Sequence, residues 1–371
     1  MKKNLVIAGG GHAHMLTLSR LHSFVEAGYK VNVIGPSEYH YYSGMGSGML
    51  GNTYSPEETR FATKKVAEKM GATFTLGKVK RIDPVSQRVH LVSGDELPYD
   101  VLSCNLGSQV PKDLSTGSQD DIFLAKPVEE LLHAQQRILG LGHLKKIAIG
   151  VVGGGASAVE IAGNIWRLGR EPGMNQIDLT LFAGKQLLHH HPARLRRMVN
   201  RSLKKRDIRV KEGFRAQTVE TGRVTSDTGR IYDLDIIFVA IGVRPCEIFR
   251  ESGIPTGPDG GMLVNRYLQS TAYPTIFGGG DCIYFADAPL DKVGVYAVRQ
   301  NPIIYHNLHA ALRGAVLQPF KPGGRRYMLI FNMGDDTGIF YKKPLLFGGR
   351  SLFLLKNYID QKFVKSYQSL E

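Results

Sequence analysis

Short runs of β-branched and other apolar residues alternate with segments of helical spacing along most of this chain. Residues 4–8 (NLVIA) and 30–34 (KVNVI) form such runs, and the apolar positions between them recur at the intervals of an amphipathic helix. The same order returns at 146–152, 156–168 and 177–182. Strands that alternate with helices predict parallel sheets joined by crossover helices, which is an α/β fold.

Two glycine-rich turns of the same design follow apolar strands. They read GGGHAH at 9–14 and GGGASA at 153–158, and each precedes a segment of helical spacing. This order is the context of a dinucleotide-binding fingerprint. There the first glycine permits the tight turn, the second admits a pyrophosphate to the backbone, and the helix N-terminus adds partial positive charge. The pair predicts two dinucleotide sites in one chain.

Three later strands extend this picture. Residues 99–107 (YDVLSCNLG) and 234–242 (LDIIFVAIG) each end in a glycine, at equivalent places in two copies of one fold. Residues 275–282 (TIFGGGDC) form an apolar strand that ends in small residues and the carboxylate of Asp281. Such a carboxylate can accept hydrogen bonds from ligand hydroxyls at the carboxyl end of a sheet, and a turn or helix cap is its alternative role.

These patterns predict two Rossmann-like, doubly wound, three-layer domains, the second inserted in the first, and a small C-terminal α+β region. The predicted boundaries are 1–110 with 256–318 for the first domain, 111–255 for the second and 319–371 for the last region. Local signals predict a helix from a capping box at Ser55 and Glu58 to about residue 70. Further helices are expected over 11–27, 127–141 and 293–313, and short strands over 78–83, 88–92, 327–331, 338–341 and 345–347.

Composition adds an excess of positive charge and few cysteines. The net charge is +14, and the most basic segment, 194–206, carries apolar residues at helical intervals, which predicts a solvated basic face. No nucleic-acid-binding signature accompanies it. Cys104, Cys246 and Cys282 are too far apart for a local dithiol or a zinc motif, and His189 to His191 are expected in a surface loop. No apolar run is long enough to span a bilayer. We therefore expect a cytoplasmic protein, and the cysteine and histidine spacing predicts no metal site.

The C-terminal segment 351–367 is basic and amphipathic. Leu352, Leu355, Ile359 and Phe363 share one helical face, with Leu354, Tyr358 and Tyr367 at its margins. Two interpretations remain open. The helix lies in a membrane interface, on the inner face of the cell membrane, or it docks as an ordinary helix that covers a core.

The glycine turns, the 239–245 segment and the Asp281 strand, in this order, resemble the two-dinucleotide-binding-domain flavoprotein superfamily over nearly the whole chain. Because the active-site disulfide is absent, the resemblance points to the branch of type II NADH dehydrogenases and sulfide:quinone oxidoreductases. More narrowly, five segments look like the NADH-dehydrogenase-like module that some bacteria fuse to selenophosphate synthetase. They are YSGM at 42–45, YDVLS at 99–103, GS at 107–108, KP at 126–127 and YAVRQ at 296–300.

The resemblance implies FAD in the first domain. It places the pyrophosphate at the first glycine turn, the adenine at Val79, the ribityl chain at Asp281 and the flavin ring between the 41–51 loop and the start of the 293–313 helix. A helix N-terminus there can stabilise a reduced, anionic flavin. The residues expected around FAD are Gly9, Gly11, His12, Ala13, Ser37, Ser43, Gly44, Val79, Gly107, Gly280, Asp281, Ala297 and Gln300.

It also implies NAD(P)H in the second domain, held by Gly153, Gly155, Ala156, Ala158, Glu160 and Gly242. Three departures affect this expectation. His14 stands in place of the third glycine of the first fingerprint. The carboxylate that binds ribose hydroxyls is missing from both units, where Ser37 or Glu38 can substitute in the first and Lys185 can favour a 2′-phosphate in the second.

The expected activity is therefore an FAD-dependent oxidoreductase that passes hydride from NAD(P)H to flavin and electrons to a quinone or another small acceptor. No side chain is certain to be catalytic, and Glu160, Gln300 and Lys126 are the candidates near the flavin. Sulfide or chalcogen oxidation, and a flavoprotein partner module in selenium metabolism with little turnover, are the alternatives. An anionic membrane surface is a possible partner, and a monomer and a homodimer both stay open.

Overall fold

The first glycine turn lies at the edge of a parallel sheet whose strands come from both sequence segments of the predicted first domain. The computed structural model describes residues 2–111, 114, 120–324 and 327–371. The strand order is β21-β9-β1-β2-β5, and every neighbouring pair is parallel. The strands are β1 (Asn4–Ala8), β2 (Lys30–Gly35), β5 (Thr73–Leu76), β9 (Val101–Cys104) and β21 (Ile276–Gly278).

A second parallel sheet repeats this arrangement, in the order β11-β18-β12-β13-β14. In both sheets, the strand before the glycine turn lies between the next strand of its unit and the strand that ends near Gly107 or Gly242. This duplication confirms the predicted α/β class with two Rossmann-like units, whereas the domain boundaries stay a prediction. The strands are β11 (Ile122–Leu124), β12 (Ile147–Val152), β13 (Ile177–Ala183), β14 (Arg209–Glu212) and β18 (Ile236–Val239).

Helices lie between the strands along the chain, and several of them pack on the two parallel sheets. They are α1 (Met15–Ser19), α2 (His22–Glu26), α3 (Gly46–Leu50), α4 (Thr63–Lys69), α5 (Glu129–Gly142), α6 (Ala156–Leu168), α7 (Ala193–Lys204), α8 (Ile248–Glu251), α9 (Gly294–Arg313) and α10 (Arg350–Gln368). Within the described ranges, no helix is both long and apolar enough to span a bilayer. The predicted helix over 11–27 is broken into a 3-10 turn (His12–His14), α1 and α2.

The predicted helix from Ser55 to residue 70 is wrong in its first half. The capping box itself forms, since the Ser55 amide donates to the Glu58 carboxylate at 2.9 Å and the Glu58 amide to Ser55 Oγ at 3.3 Å. It caps only a 3-10 turn (Glu57–Thr59), because the chain then enters β4 (Arg60–Phe61), which pairs with β3 (His40–Tyr41). Burial of Phe61 favours this pairing over a continued helix. The regular helix begins at α4.

Short strands outside the two parallel sheets form small sheets and ladders. The predicted insertion over 78–92 is confirmed as antiparallel strands β6, β7 and β8, and β15, β16 and β17 are its counterpart in the second unit. The ranges are β6 (Val79–Asp83), β7 (Arg88–Leu91), β8 (Glu96–Pro98), β10 (Ser108–Gln109), β15 (Ala216–Glu220), β16 (Arg223–Ser226), β17 (Ile231–Asp233), β19 (Arg244–Pro245), β20 (Met262–Val264) and β22 (Ile283–Phe285). Strand β10 pairs with β19, and β20 with β22.

The C-terminal region is an antiparallel sheet followed by α10, as predicted. Its strands are β23 (Leu329–Asn332), β24 (Gly338–Lys342) and β25 (Leu345–Gly349). The expected apolar face of α10 needs correction, because Phe353, Asp360 and Val364 are its buried residues. Leu355 and Ile359 are 41% and 38% exposed. The buried face is therefore rotated by about a third of a turn from the apolar stripe.

Candidate functional site

A cavity of about 330 Å³ lies at the carboxyl ends of the first sheet. Residues just after each strand line it: Gly9 after β1, Pro36 after β2, Gly77 after β5, Asn105 after β9 and Asp281 after β21. Gly9 adopts a φ of +93°, and a Cβ there would collide with the carbonyl oxygen of Asn105. Glycine is needed at this position because two strand ends approach closely. This edge is where open α/β sheets bind their ligands.

His14, at the third fingerprint position, is fully buried and hydrogen-bonded. Its Nδ1 lies 2.7 Å from the carbonyl oxygen of Gly9, and its Nε2 lies 2.8 Å from Ser103 Oγ. Burial lowers the pKa of His14 to about 4, so the ring is neutral at physiological pH. The side chain that replaces glycine here ties the glycine turn to β9.

The carboxylate of Asp281 lies in the cavity wall in a charged hydrogen-bond group. Lys126 Nζ and Ser108 Oγ both donate to Asp281 Oδ2 at 2.8 Å. Burial by itself raises the pKa of Asp281, but Lys126 and the hydrogen bonds outweigh it, and the pKa lies below its usual value. Asp281 is therefore an ionised acceptor for hydroxyl groups. Lys126, whose side chain is 29% exposed, is its ion-pair partner.

Two polar atoms lie buried beside the cavity without a hydrogen-bond partner among the described residues. They are His40 Nε2 and Asn105 Nδ2, and both residues line the cavity. Burial lowers the pKa of His40 to about 3 and that of His12 to about 4, so both rings are neutral. Unpaired buried polar atoms call for a ligand that supplies partners. The bare glycine turn, the two unpaired atoms and the Asp281 carboxylate fit a polar dinucleotide with hydroxyl groups.

The first turn of α9 closes one side of the same cavity. Gly294 and Ala297 line it, so backbone amides and the positive end of the helix dipole face the space. Gln300 does not reach the cavity. Its side chain is buried, and its Oε1 accepts a hydrogen bond from the Gly280 amide at 2.7 Å. Gln300 thus holds the turn that carries Asp281.

The second glycine turn repeats the close approach of the first. Gly153 has a φ of +148°, and a Cβ there would collide with the carbonyl oxygen of Ala240. In the same way, a Cβ on Gly9 would collide with the carbonyl oxygen of Asn105. A cavity of about 90 Å³ lies beside this turn and is bounded by Ser157, Glu160 and Gly242. Among the predicted NAD(P) residues, Ala158 is buried against Gly153, and Gly155 and Ala156 begin α6 outside the cavity wall.

The two cavities meet. Ser43, Lys126 and Val128 line both of them. Ser43 comes from the loop before α3, whereas Lys126 and Val128 lie in the segment between β11 and α5. A ligand in the larger cavity and a ligand in the smaller cavity would therefore both contact these three residues.

Buried charges lie where α10 packs against the 42–45 loop. Lys356 Nζ donates to the carbonyl oxygen of Gly44 at 2.7 Å and to Asp360 Oδ2 at 2.5 Å, and Tyr42 donates to Asp360 Oδ1 at 3.1 Å. Glu160 accepts a hydrogen bond from the Asn332 amide at 2.8 Å. Burial raises the pKa of Glu160 above its usual value, against the attraction of Lys356. The helix α10 thus fixes the loop beside the shared wall.

Most of the predicted FAD residues lie on the larger cavity, and four lie elsewhere. Those on its wall are Gly9, Gly11, His12, Ser43, Val79, Gly107, Gly280, Asp281 and Ala297. Ala13 is buried in the core, Gly44 accepts from Lys356, Ser37 accepts from the Tyr39 amide at 3.2 Å, and Gln300 holds Gly280. His40 and Asn105 also lie on this wall and are not among the residues predicted from the sequence, although Asn105 directly follows the buried strand β9.

Two Rossmann-like units, each with a glycine turn after its first strand, and two adjoining cavities define a protein of the two-dinucleotide class. A family model of the pyridine nucleotide-disulphide oxidoreductases matches residues 3–309, and the chain belongs to this family. It is 27% identical over 290 residues to ferroptosis suppressor protein 1 of Taeniopygia guttata, a match that covers 72% of this chain and 71% of the relative.

Two further proteins are similar. A demethylphylloquinone reductase of Synechocystis is 25% identical over 304 residues, which cover 78% of this chain and 73% of the relative. The crystal structure of the sulfide:quinone oxidoreductase of Aquifex aeolicus superimposes with a TM-score of 0.79 at 17% identity and covers 100% of this chain and 92% of that chain. At this identity, the structural likeness concerns the fold.

Proposed function

We propose that this chain is an FAD-dependent NAD(P)H:quinone oxidoreductase. The observation that carries the proposal is the shared wall of Ser43, Lys126 and Val128 between the two cavities. Hydride transfer requires direct contact of donor and acceptor, and this wall is where two bound dinucleotides would touch. The family's pyridine nucleotide and the quinone in the name of the Synechocystis relative support the donor and the acceptor.

The larger cavity is the proposed FAD site. Bound flavin would supply the redox chemistry, taking hydride from the nicotinamide and passing electrons to the acceptor. Gly11 offers its backbone amide to the diphosphate, whereas the Gly9 amide is held by the carbonyl oxygen of Ile34 at 2.9 Å. The ionised Asp281 accepts hydrogen bonds from ribityl hydroxyls. The α9 N-terminus lines this cavity, where its partial positive charge stabilises negative charge on a bound ring.

The second glycine turn is the proposed NAD(P)H site. The amides at the start of α6 face the nucleotide's diphosphate, and the smaller cavity beside Gly242 and Ser157 takes the nicotinamide end. Glu160 lies in the wall of this cavity, and burial raises its pKa above the usual value. The predicted domain division, with FAD in 1–110 and 256–318 and NAD(P)H in 111–255, is part of this proposal.

Quinones are apolar and dissolve in membranes, and the C-terminal region exposes apolar side chains that could contact a membrane. Leu354, Leu355, Tyr358 and Ile359 on α10 and Phe347 on β25, which we call the apolar patch, are 38% to 62% exposed. Exposed basic residues accompany the patch, at 350, 362 and 365 on α10 and at 342 and 343 just before β25. An apolar surface with basic residues binds anionic membranes. The protein would attach there reversibly, on the inner face of the cell membrane.

Anaerobic titration tests the proposal. Purified protein should be yellow, NADH or NADPH should bleach the flavin absorbance in a stoichiometric manner, and an added quinone should restore it. Flavin that neither nucleotide bleaches would overturn the proposed donor. Flavin that is bleached but not restored by any quinone would overturn the proposed acceptor.

Sulfide or chalcogen oxidation is the second candidate, because the thiol of Cys246 lies in the wall of the larger cavity. Burial, however, raises the pKa of Cys246 and that of Cys104, and raises the pKa of Cys282 to about 12. Protonated thiols are poor nucleophiles for persulfide chemistry. Unchanged acceptor reduction after Cys246→Ser would count against this candidate.

The third candidate is a flavoprotein partner module of selenium metabolism. It rests on the five short segments that resemble the module fused to selenophosphate synthetase. A steady-state rate far above that of free flavin, with a saturable donor, would exclude such a module with little turnover.

A further inference from the structure

The loop after β13 lies against the second glycine turn. The Gly153 amide donates to the carbonyl oxygen of Phe182 at 2.8 Å, and the Leu188 amide donates to that of Gly154 at 2.7 Å. A Cβ on Gly154 would lie 3.2 Å from the Cβ of Ala183. In dinucleotide-binding units, the end of this second strand faces the adenosine ribose. Residues 183–188 are therefore the part of the chain closest to the ribose 2′ position.

These loop residues carry a cation and no carboxylate. The sequence after β13 reads GKQLL at 184–188, where NAD-specific units have an acidic residue for the two ribose hydroxyls. Lys185 is exposed, and no described residue forms an ion pair with it. A lysine with no partner at this place favours a ligand that brings negative charge.

A second cation is brought to the same loop by the strand next to β13. The Phe214 amide donates to the carbonyl oxygen of Ala183 at 3.0 Å, and the Gly213 amide donates to that of Lys185 at 2.9 Å. These bonds place the Cα of Arg215 3.8 Å from the position of a Cβ on Gly184. Arg215 is exposed, and none of the described carboxylates pairs with it.

The carboxylate that ends β14 is already engaged. Glu212, the last residue of β14, accepts a hydrogen bond from the Leu187 amide at 2.9 Å. This bond ties it to the backbone of the loop and fixes one of its two oxygens. Glu212 therefore braces the loop that carries Lys185, while Lys185 and Arg215 leave donors free for a phosphate.

We infer that Lys185 and Arg215 bind the 2′-phosphate of NADPH, so that the second site takes NADPH in preference to NADH. The inference rests on the proposed function, because it assigns the coenzyme of the proposed donor site. An arginine and a lysine that converge on one phosphate supply charge-assisted hydrogen bonds to its oxygens. NADH offers a hydroxyl at this position, and it leaves both cations without a partner.

Binding of two adenosine fragments tests the inference without any turnover. Isothermal titration of the purified flavoprotein with adenosine 2′,5′-diphosphate and with 5′-AMP should give a dissociation constant at least about tenfold lower for the former. The double variant Lys185→Ala/Arg215→Ala should lose this difference and bind 5′-AMP within about twofold of the wild type. Raising the salt concentration should weaken the 2′,5′-diphosphate more than 5′-AMP.

Lys204→Ala is the matched control. Lys204 ends α7 and, like Arg209 at the start of β14, lies toward the opposite edge of the sheet, so its loss removes one positive charge without touching the site. It should keep the wild-type preference. Equal affinity of the two fragments, or a double variant that weakens both equally, would overturn the inference and leave the proposed function standing. Protein that binds neither fragment, and whose flavin neither nucleotide bleaches, would overturn both.

Discussion

The Nε2 atom of His14 lies 2.8 Å from the Oγ atom of Ser103, and this contact joins the first glycine turn to the neighbouring strand. The other ring nitrogen faces the carbonyl oxygen of Gly9 at 2.7 Å. Because a carbonyl only accepts, Nδ1 carries the proton, and Nε2 accepts from the Ser103 hydroxyl. The neutral ring therefore satisfies both partners, and a doubly protonated ring would have to donate to the hydroxyl oxygen instead.

Acid should destabilise the fold through His14. Burial lowers the pKa of His14 from 6.5 to about 4, so the unfolded state binds more protons than the folded state between these two values. Stability therefore falls as pH drops from about 6.5 to 4. From pH 7 to 4.5, His14 alone should cost roughly 2 to 3 kcal/mol of unfolding free energy, as measured by urea denaturation.

In the variant His14→Gly, the free energy of unfolding should fall less between pH 7 and 4.5, by that amount. The variant His143→Gln, at an exposed position, should keep the wild-type dependence of stability on pH. His12 and His40, whose pKa values are also lowered by burial, keep part of the slope in every variant. An unchanged slope in His14→Gly would show that this ring does not stay neutral in the fold.

The local parts of the fold could be predicted from the sequence, and the long-range parts could not. The strands before Gly9 and Gly153 were recognised because apolar runs and glycine turns are local signals. The prediction of a helix over 55–70 is wrong because Arg60 and Phe61 pair with His40 and Tyr41, and no local pattern indicates this long-range pairing.

The candidate site divides in the same way. The turn residues and Asp281 were found from motifs, whereas the bond from Lys126 to Asp281 joins residues 155 positions apart. The predicted buried face of α10 is wrong because the helix buries the Lys356–Asp360 ion pair and leaves part of its hydrophobic stripe exposed. A buried ion pair reverses the rule on which the amphipathic interpretation rests.

Asp281→Ala should release the proposed flavin. The variant removes the ionised acceptor in the cavity wall and leaves Lys126 without its partner. Loss of a hydrogen bond to a charged group costs about 1.5 to 3 kcal/mol, which corresponds to at least a tenfold weaker affinity for FAD. The ratio of flavin to protein absorbance after gel filtration measures retention. Asp287→Ala, which removes a half-exposed carboxylate from the same segment, should retain flavin fully, and equal retention in both variants would contradict the prediction.

Lys356→Met should destabilise the protein strongly. The side chains of Lys356 and Asp360 are 12% and 7% exposed, so the substitution leaves a buried carboxylate without its cation. Breaking one partner of a buried pair costs about 3 to 5 kcal/mol, read from the urea midpoint. Lys362→Met on the exposed side of α10 should change stability by less than about 0.5 kcal/mol.

A second variant separates the ion pair from simple packing. Lys356→Met/Asp360→Leu removes both charges, and it should recover part of the stability lost in the single variant. No recovery in the double variant would show that the pair is not the source of the loss.

Membrane attachment should depend on the apolar patch of α10. The variant Leu354→Ser/Leu355→Ser/Tyr358→Ser removes three exposed apolar side chains, none of which belongs to the buried face that docks the helix. Wild-type protein should sediment with vesicles that contain anionic lipid, less so at high salt, because screening weakens the attraction of the basic residues. The triple variant should stay in the supernatant at all salt concentrations while keeping its urea midpoint. Val85→Ser, which removes an exposed apolar side chain far from α10 in sequence, should sediment as the wild type does. Because surface polar substitutions shift stability little, a triple variant that still sediments would mean that the patch is not the contact and that another face must carry any membrane binding.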